Sequence, residues 1–501
     1  MSPISANDLV SVLPALVLIV GALVAVGVDA SRPKDRWRNG AEVVSYLALG
    51  VAIAFILYRL LPESAGDTFR QRPTLRGFGG AVQLDGLAAF LSLGILAATG
   101  LTVVLSTDYL RDKGLPLGEY HGLLLLGTSG MLVLTQSVDL VTFFVALEIL
   151  SLAVYTLSGL FRREARSNEA AVKYLLMGAF ATGFLLYGIA LLYGATGSLR
   201  LDTIGAELAR RTSAPGLSIA AAGLALMAIG LAFKVGAAPF HMWVPDVYEG
   251  APLSVTAFMS VTVKAAGFGA LLRVLLTAGA HDAAAWGGIL YALAIATMIV
   301  GNFLAARQTS VKRMLAYSSI AHTGYLLVAL AALRHDPGAR DAAQAAVFYL
   351  FSYVFMTLGA FAFASHAGRG GRDAESLEDY DGFARRKPWS ALAMTVFMLS
   401  LAGLPPTAGF FGKFLIFKAA IAAGDWIPVV VGVLTSAVSV YYYLRVVVRM
   451  YMMPEPENAG EPAAVPNVAW VVFFAALLTL ALGLLPSSFV GFSRGAVALL
   501  P

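Results

Sequence analysis

Five ionisable side chains stand in stretches that are otherwise apolar. They are Glu148 in DLVTFFVALEILSLAVYTLSG, Lys234 in GLALMAIGLAFKVGAAPFHMWVPDVYEGAP, Lys264 in LSVTAFMSVTVKAAGFGALLRVL, His322 in SVKRMLAYSSIAHTGYLLVAL and Lys413 in GLPPTAGFFGKF. In lipid a lysine costs roughly 3 kcal/mol or more at mid-bilayer. Groups kept there at such a cost pair with each other, hold helices together or carry protons. Lys234 is followed by Gly236 and Pro239. Backbone freed by a proline at membrane depth is tolerated only where protein or a water-filled cavity satisfies it. The plain reading is a helix end with a snorkelling lysine. The sharper one is a broken helix presenting a titratable amine, an ion-site device.

The neighbours of each group point the same way. Ser151 and Tyr155 follow Glu148 at i+3 and i+7, extending a polar stripe on one helix face. A buried carboxylate needs a partner or a proton, and Lys234 is the candidate partner. A structural ion pair between two helices is the alternative. Lys264 has no acid within a helical turn. Burial disfavours the charged form of an amine, so such a lysine can exchange its proton. Backbone carbonyls of a broken helix are the alternative partners. His322 has Ser318, Ser319 and Tyr325 within a turn. Imidazole titrates near pH 6.5, which suits a proton relay. Lys413 follows a second Gly/Pro break. Lys418 lies nearer a helix end, where snorkelling suffices. Lys173, in EAAVKYLLMGAF, reads as an anchor or as a proton-uptake group. Arg273, Arg445 and Arg449 read as helix-end anchors.

Other chemistries find no support. The chain contains no cysteine, which removes disulfides, thiolate zinc sites and ordinary iron–sulfur ligation. No phosphate loop, catalytic triad or haem pattern occurs, and His241 and His322 have no ligand cluster beside them. The net charge of +5 comes mostly from short loops and is no sign of nucleic-acid binding.

The elements that must position these groups are membrane helices. The 501 residues are 58% hydrophobic and 13% charged, against about 25% charged in a soluble domain. Fourteen apolar segments are long enough to cross a bilayer as helices, near 8–29, 39–61, 84–107, 119–137, 139–160, 168–195, 216–239, 252–279, 284–306, 311–333, 341–367, 388–423, 425–453 and 467–491. The N-terminus, MSPISANDLV, lacks a basic signal-peptide region, so the first segment is expected to stay as a span. Fourteen crossings put both termini on one side. Seventeen Lys and Arg residues lie in connections after odd-numbered segments and eight in those after even-numbered ones. The positive-inside rule then places the odd connections in the cytoplasm and both termini outside.

The polar groups repeat. Segments four to eight carry an acid in the second of the five and a lysine beside a Pro/Gly break in the fourth. Segments nine to thirteen carry His322 in the second and Lys413 beside a break in the fourth. Five-helix units in tandem enter the membrane in opposite senses, so the pattern predicts two inverted repeats with interrupted helices seven and twelve. The expected organisation is 1–118 for the first three helices, 119–279 and 284–453 for the repeats, and 454–501 for a Pro/Glu linker and last helix. The fold class is an all-α polytopic membrane protein.

FKVGAAPFHMWVPDVYEGAP, AVKYLLMGAFATGFLLYG, MLAYSSIAHTGYLLVAL and GLPPTAGFFGKF together resemble the antiporter-like subunits of proton-pumping NADH:quinone oxidoreductase (respiratory complex I), a family related to the multi-subunit cation/proton antiporters. The resemblance covers about 84–453. The form VPDVYEGAP points to the subunit N branch. Subunit M typically has glutamate at the place of Lys413, and subunit L continues into a long lateral helix for which this chain has no room. The resemblance implies a proton-translocating, non-redox subunit of the oxidoreductase in the bacterial plasma membrane. It implies that Glu148, Lys234, Lys264, His322 and Lys413 carry the protons, with Lys173, Lys418 and Tyr325 as uptake or auxiliary groups. It also implies no cofactor in this chain, with NADH, FMN, iron–sulfur clusters and quinone in other subunits. Its partners would be the other membrane subunits of an obligate hetero-oligomer, including neighbouring antiporter-like subunits, and the lipid bilayer. A cation/proton antiporter subunit and a purely structural spacer are the competing readings.

Overall fold

Side-chain caps set the starts of two central helices. Asp139 accepts hydrogen bonds from the backbone N–H groups of Val141 and Thr142, and the Ser310 hydroxyl accepts from that of Arg313. Each satisfies donors that a helix start leaves free. The computed structural model describes residues 4–31, 39–61, 73–112, 115, 117–210, 219–280, 283–335, 340–368, 373–455 and 466–497.

The helices in chain order are α1 (Ala6–Ser11), α2 (Leu13–Ala30), α3 (Gly40–Leu60), α4 (Gly86–Asp112), α5 (Leu117–Gln136), α6 (Leu140–Ser158), α7 (Ala165–Thr196), α8 (Leu201–Arg210), α9 (Ile219–Val235) and α10 (Trp243–Gly250). They continue with α11 (Leu253–Leu276), α12 (Ala283–Ala306), α13 (Val311–Ala332), α14 (Arg340–His366), α15 (Phe383–Arg386), α16 (Pro388–Ala402), α17 (Ala408–Ala422), α18 (Trp426–Met452), α19 (Pro466–Leu484) and α20 (Pro486–Val497). Among the described residues twelve helices are long and apolar enough to span a membrane unbroken. The two remaining segments are the interrupted ones, α9 with α10 and α16 with α17. The fourteen expected segments are thereby accounted for.

Among the described residues one two-stranded sheet interrupts the helices. β1 (Leu75–Gly77) and β2 (Val82–Leu84) pair antiparallel, turning through Gly79 and Gly80 at φ 63° and 87°. The hairpin is held from both sides: Gly79 accepts a hydrogen bond from Arg200 at 2.8 Å, and Asp8 accepts one from the Phe78 N–H. The rest of the connection, 62–72, lies outside the described residues, as do Arg32, Lys34, Arg36, Arg38, Arg70, Arg72, Lys113, Arg211, Arg369 and Arg372 of the charge argument and most of the 454–466 linker.

Every residue of α11 is buried, and α13 and α14 nearly so. A helix apolar all round belongs inside a bundle, and these three form its centre. Peripheral helices turn apolar side chains outward, among them Leu23, Leu47, Leu176 and Phe180, as a lipid-facing surface requires.

Arg273 departs from its reading as a helix-end anchor. It is 1% exposed and makes a bidentate pair with Asp85, both bonds at 2.9 Å, while its Nε donates to the Thr135 carbonyl. The pair ties α11 to the start of α4, where Asp85 also accepts from the Ala88 N–H. Snorkelling was the cheaper option, but α11 has no lipid-facing side along which its arginine could reach water. Arg449 likewise pairs with Asp381 at 3.0 Å, and Arg445 donates to the Gln308 carbonyl.

Candidate functional site

The first break begins where α9 ends. Gly236 takes a left-handed φ of 74°, and the chain runs through Pro239 into α10. Lys234 sits on the last turn of α9 and is 4% exposed. It does not snorkel. Its Nζ donates to Ser151 Oγ at 2.9 Å and lies 5.5 and 5.6 Å from the ring centres of Tyr155 and Tyr174. The expected ion pair with Glu148 is not made within 4 Å among the described residues. Glu148 instead accepts from Thr182 Oγ1 at 3.0 Å. Ser151 lies one turn from Glu148 on α6, so the amine rests one helical turn along the stripe from the carboxylate.

The carbonyls released by this break find neutral donors. Trp243 Nε1 donates to the Phe233 carbonyl at 2.9 Å, and Thr323 Oγ1 to the Val235 carbonyl at 2.7 Å. Thr323 in turn accepts from Lys264 Nζ at 2.6 Å, while the same amine donates to the Ser319 carbonyl. Lys264 on α11 is thus one side chain away from the residue that follows Lys234.

His322 occupies the next position on α13. Its partners come from other helices: Nδ1 meets the Tyr349 hydroxyl of α14, and Nε2 the Tyr443 hydroxyl of α18 at 3.1 Å. Tyr443 also bonds Ser318. Of the hydroxyls expected from the sequence, that of Ser318 therefore reaches the imidazole at one remove, through Tyr443. Tyr325 packs its ring edge-on against His322 at 5.6 Å, and its hydroxyl joins Asn302 at 3.2 Å and Ser436 at 3.1 Å.

The second break repeats the backbone device with a different use of the lysine. Gly403 closes α16 at φ 83°. Lys413, on the first half of α17, folds back across the gap. Its Nζ donates to the carbonyls of Leu401 and Ala402, both at 3.1 Å, and to Ser436 Oγ at 3.3 Å, over the Tyr325 ring at 4.5 Å. A Cβ on Gly403 would stand 2.9 Å from Lys413 Cδ. Glycine is needed here for its dihedral and for the amine's path.

The auxiliary groups separate. Lys173 forms ion pairs with Glu169 at 2.6 Å and Asp246 at 2.8 Å, and Asp246 and Glu249 both hold Arg313. Lys418 is exposed and lines a small cleft with Asp341, Gln344 and Arg494. Tyr349, Tyr443, Thr323, Ser436, Asn302 and Trp243 are contributors that inspection of the sequence overlooked. The one available signal was the density of hydroxyls in apolar runs, as in FYLFSYVF and VYYYL. The arrangement can bind and pass protons among amines, an imidazole and hydroxyls. Among the described residues no three acidic or histidine side chains converge as metal ligands do.

Residues 137–439 match the family described as NADH:quinone oxidoreductase/Mrp antiporter, transmembrane. NADH-quinone oxidoreductase subunit N of Trichlorobacter lovleyi is 46% identical over 427 residues, covering 85% of this chain and 86% of the relative. The subunit N of Myxococcus xanthus is 41% identical with 97% of each chain covered. Among solved structures, a chain of respiratory complex I from Thermus thermophilus superposes with a TM-score of 0.77 at 37% identity, covering 95% of this chain and 97% of that one. A chain of the Mrp complex from a Dietzia species reaches a TM-score of 0.83 at 21% identity, covering 99% and 98%. The second likeness shows the shared fold alone, whereas the identities separate the branches. The chain belongs to the subunit N family of NADH-quinone oxidoreductase, among the antiporter-like membrane subunits.

Proposed function

We infer that this chain is a proton-translocating membrane subunit of NADH:quinone oxidoreductase, in which electron transfer from NADH to quinone in other subunits drives protons across the membrane. The observation that carries the reading is the chain of buried proton-binding groups across α9, α11, α13, α14, α18 and α17, from Lys234 through Lys264 and His322 to Lys413. As a translocase subunit it performs no redox step, and NADH, FMN, iron–sulfur clusters and quinone sit in its partners. Those partners are the other membrane subunits, neighbouring antiporter-like chains included. The segments 119–279 and 284–453 act as inverted units around the two breaks. The connections after odd-numbered spans face the cytoplasm and both termini face the periplasm.

The mechanism turns on Glu148. In the arrangement described, its carboxylate is held by Thr182, and Lys234 rests on Ser151. A charge arriving in a neighbouring subunit moves the carboxylate towards or away from the amine. With the carboxylate near, Lys234 keeps its proton. With it gone, the proton passes by Thr323 and water to Lys264, then by His322 and its tyrosines to Lys413 and out. Driving one charge against 100 mV takes about 2.3 kcal/mol. A hundredfold change in proton affinity is worth about 2.7 kcal/mol, so a single moving carboxylate is of the right size.

The test is Lys234→Ala in the assembled oxidoreductase, followed by NADH-driven acidification of inverted membrane vesicles. The expected result is a several-fold fall in protons moved per NADH oxidised. Unchanged rate and stoichiometry would remove Lys234 from the path. Sodium-dependent exchange without NADH would place the chain among the antiporters instead.

A further inference from the structure

The face formed around residues 160–167, 246–251, 307–313 and 373–379 opens into a cavity of about 520 Å³. Carboxylates line it: Glu164, Glu249, Asp373, Glu375 and Asp379. At its inner end stands Lys312, which by sequence looks like an ordinary loop cation. It is 3% exposed, its Nζ donates to the Ala251 carbonyl at 2.7 Å, and the nearest carboxylate, Glu375, is 3.9 Å away. Lys173, by contrast, is locked between two acids outside this cavity.

Behind Lys312 lies a group of buried hydroxyls that face one another without closing direct hydrogen bonds. Ser319 is seven residues further along α13, two helical turns or about 10 Å inward. Its carbonyl holds Lys264, while its hydroxyl and those of Tyr353 and Thr357 close no hydrogen bond within 3.5 Å. Tyr248 and Tyr353 both face the Ser319 hydroxyl. Tyr248 adjoins Glu249 of the cavity wall, and the Tyr353 ring lies 5.5 Å from Lys264 Nζ. A buried hydroxyl left unbonded costs about 1–3 kcal/mol. Native proteins satisfy such groups with ordered water where the site is polar and the hydroxyls lie close together. These hydroxyls share one strip that joins the acid-lined cavity to Lys264.

We propose that Lys312 takes up protons from the acid-lined cavity and hands them through a file of water along Tyr248, Ser319 and Tyr353 to Lys264. The ammonium of Lys312 releases a proton inward to the file, and the amine is reprotonated from water held by the cavity carboxylates. Charge and atoms balance at each hop. The proposal rests on the proton-translocating reading above and adds its uptake route.

The chain's lack of cysteine allows a direct test of the water file. Ser319→Cys in the assembled complex, treated with the small cationic reagent methanethiosulfonate ethylammonium from the cavity side, is expected to react at least tenfold faster than Ala329→Cys. Ala329 lies in the apolar core of the same helix. A Ser319→Cys thiol as inert as the control would overturn the file. The second arm compares Lys312→Met and Lys312→Arg. Arginine keeps the charge and the bond to Ala251 but cannot release its proton. Both variants are expected to lose proton movement several-fold per NADH oxidised, in complexes that assemble. Normal pumping by Lys312→Arg would assign the lysine a structural role and end the proposal. Labelling does not depend on pumping, so a reactive Ser319→Cys beside a fully active Lys234→Ala would locate the failure in the functional reading instead.

Discussion

The two broken helices open the same kind of gap and fill it with opposite donors. At the first, the released carbonyls of Phe233 and Val235 are taken by an indole and a hydroxyl, and Lys234 turns away to Ser151. At the second, the carbonyls of Leu401 and Ala402 are taken by the lysine itself. The end of α16 carries the negative pole of a helix dipole, which stabilises a cation by about 0.3–2 kcal/mol depending on burial. Lys413 thereby caps its own break, whereas Lys234 is held by one neutral side chain and takes no part in closing the helix end. Under the proposed function, a lysine that answers to a moving carboxylate cannot also clamp the helix end, and the first break leaves Lys234 free of that task.

Substitutions can break this contrast, and the largest effect is expected at Lys413. Lys413→Ala strips the donor from two buried carbonyls, each costing about 1–3 kcal/mol. It should lower the thermal stability of the assembled complex as well as its pumping. Lys234→Ala removes only the partner of a hydroxyl that already bonds the Leu147 carbonyl, so pumping should fall with the melting temperature nearly unchanged. Equal melting shifts for the two variants would erase the distinction.

Next in size is Gly403→Ala. It forces a residue with a side chain into the left-handed region at about 1–2 kcal/mol and pushes on Lys413. Gly236→Ala has the same dihedral demand but presses only on a Val244 methyl. Pumping should therefore suffer more at 403 than at 236, read as vesicle acidification at matched assembly. Thr323→Val comes third. It leaves the Val235 carbonyl without its donor and Lys264 without one acceptor, a loss of about 1–3 kcal/mol with slowed proton transfer. A normal transfer rate in that variant would mean protons reach Lys264 by another way. The smallest structural effect belongs to Glu148→Gln. The amide oxygen still accepts from Thr182, so stability should stay within about 0.5 kcal/mol while pumping drops through the lost charge.

Much of this was legible in the chain. Ionisable residues inside apolar runs stand out because lipid makes them costly, and Gly/Pro pairs beside two of them mark the breaks. Arg273 was hidden for one reason: a helix-end position in sequence suggests reach to water, and burial by neighbouring helices removes it. The hydrogen-bond partner of Lys234 was hidden differently. Glu148 and Ser151 share one face of α6, and the reach of the Lys234 side chain across to that face decides that its hydrogen bond goes to Ser151. The tyrosines around His322 were passed over because Tyr349 and Tyr443 come from helices 27 and 121 residues away.

Sequence alone determined that the chain spans a membrane, that it carries titratable groups at membrane depth and that two of its helices are interrupted. Each of these follows from local composition, since the bilayer acts on every residue according to its own polarity. Tertiary structure decided what satisfies each buried group: Ser151 for Lys234, Thr323 for Lys264, two tyrosines for His322 and a helix end for Lys413. Those assignments depend on which helix faces touch. Apolar side chains pack with little directional preference, whereas a hydrogen bond needs its donor and acceptor within about 3 Å. Packing therefore had to come first, and the hydrogen-bond partners of the buried groups follow from it.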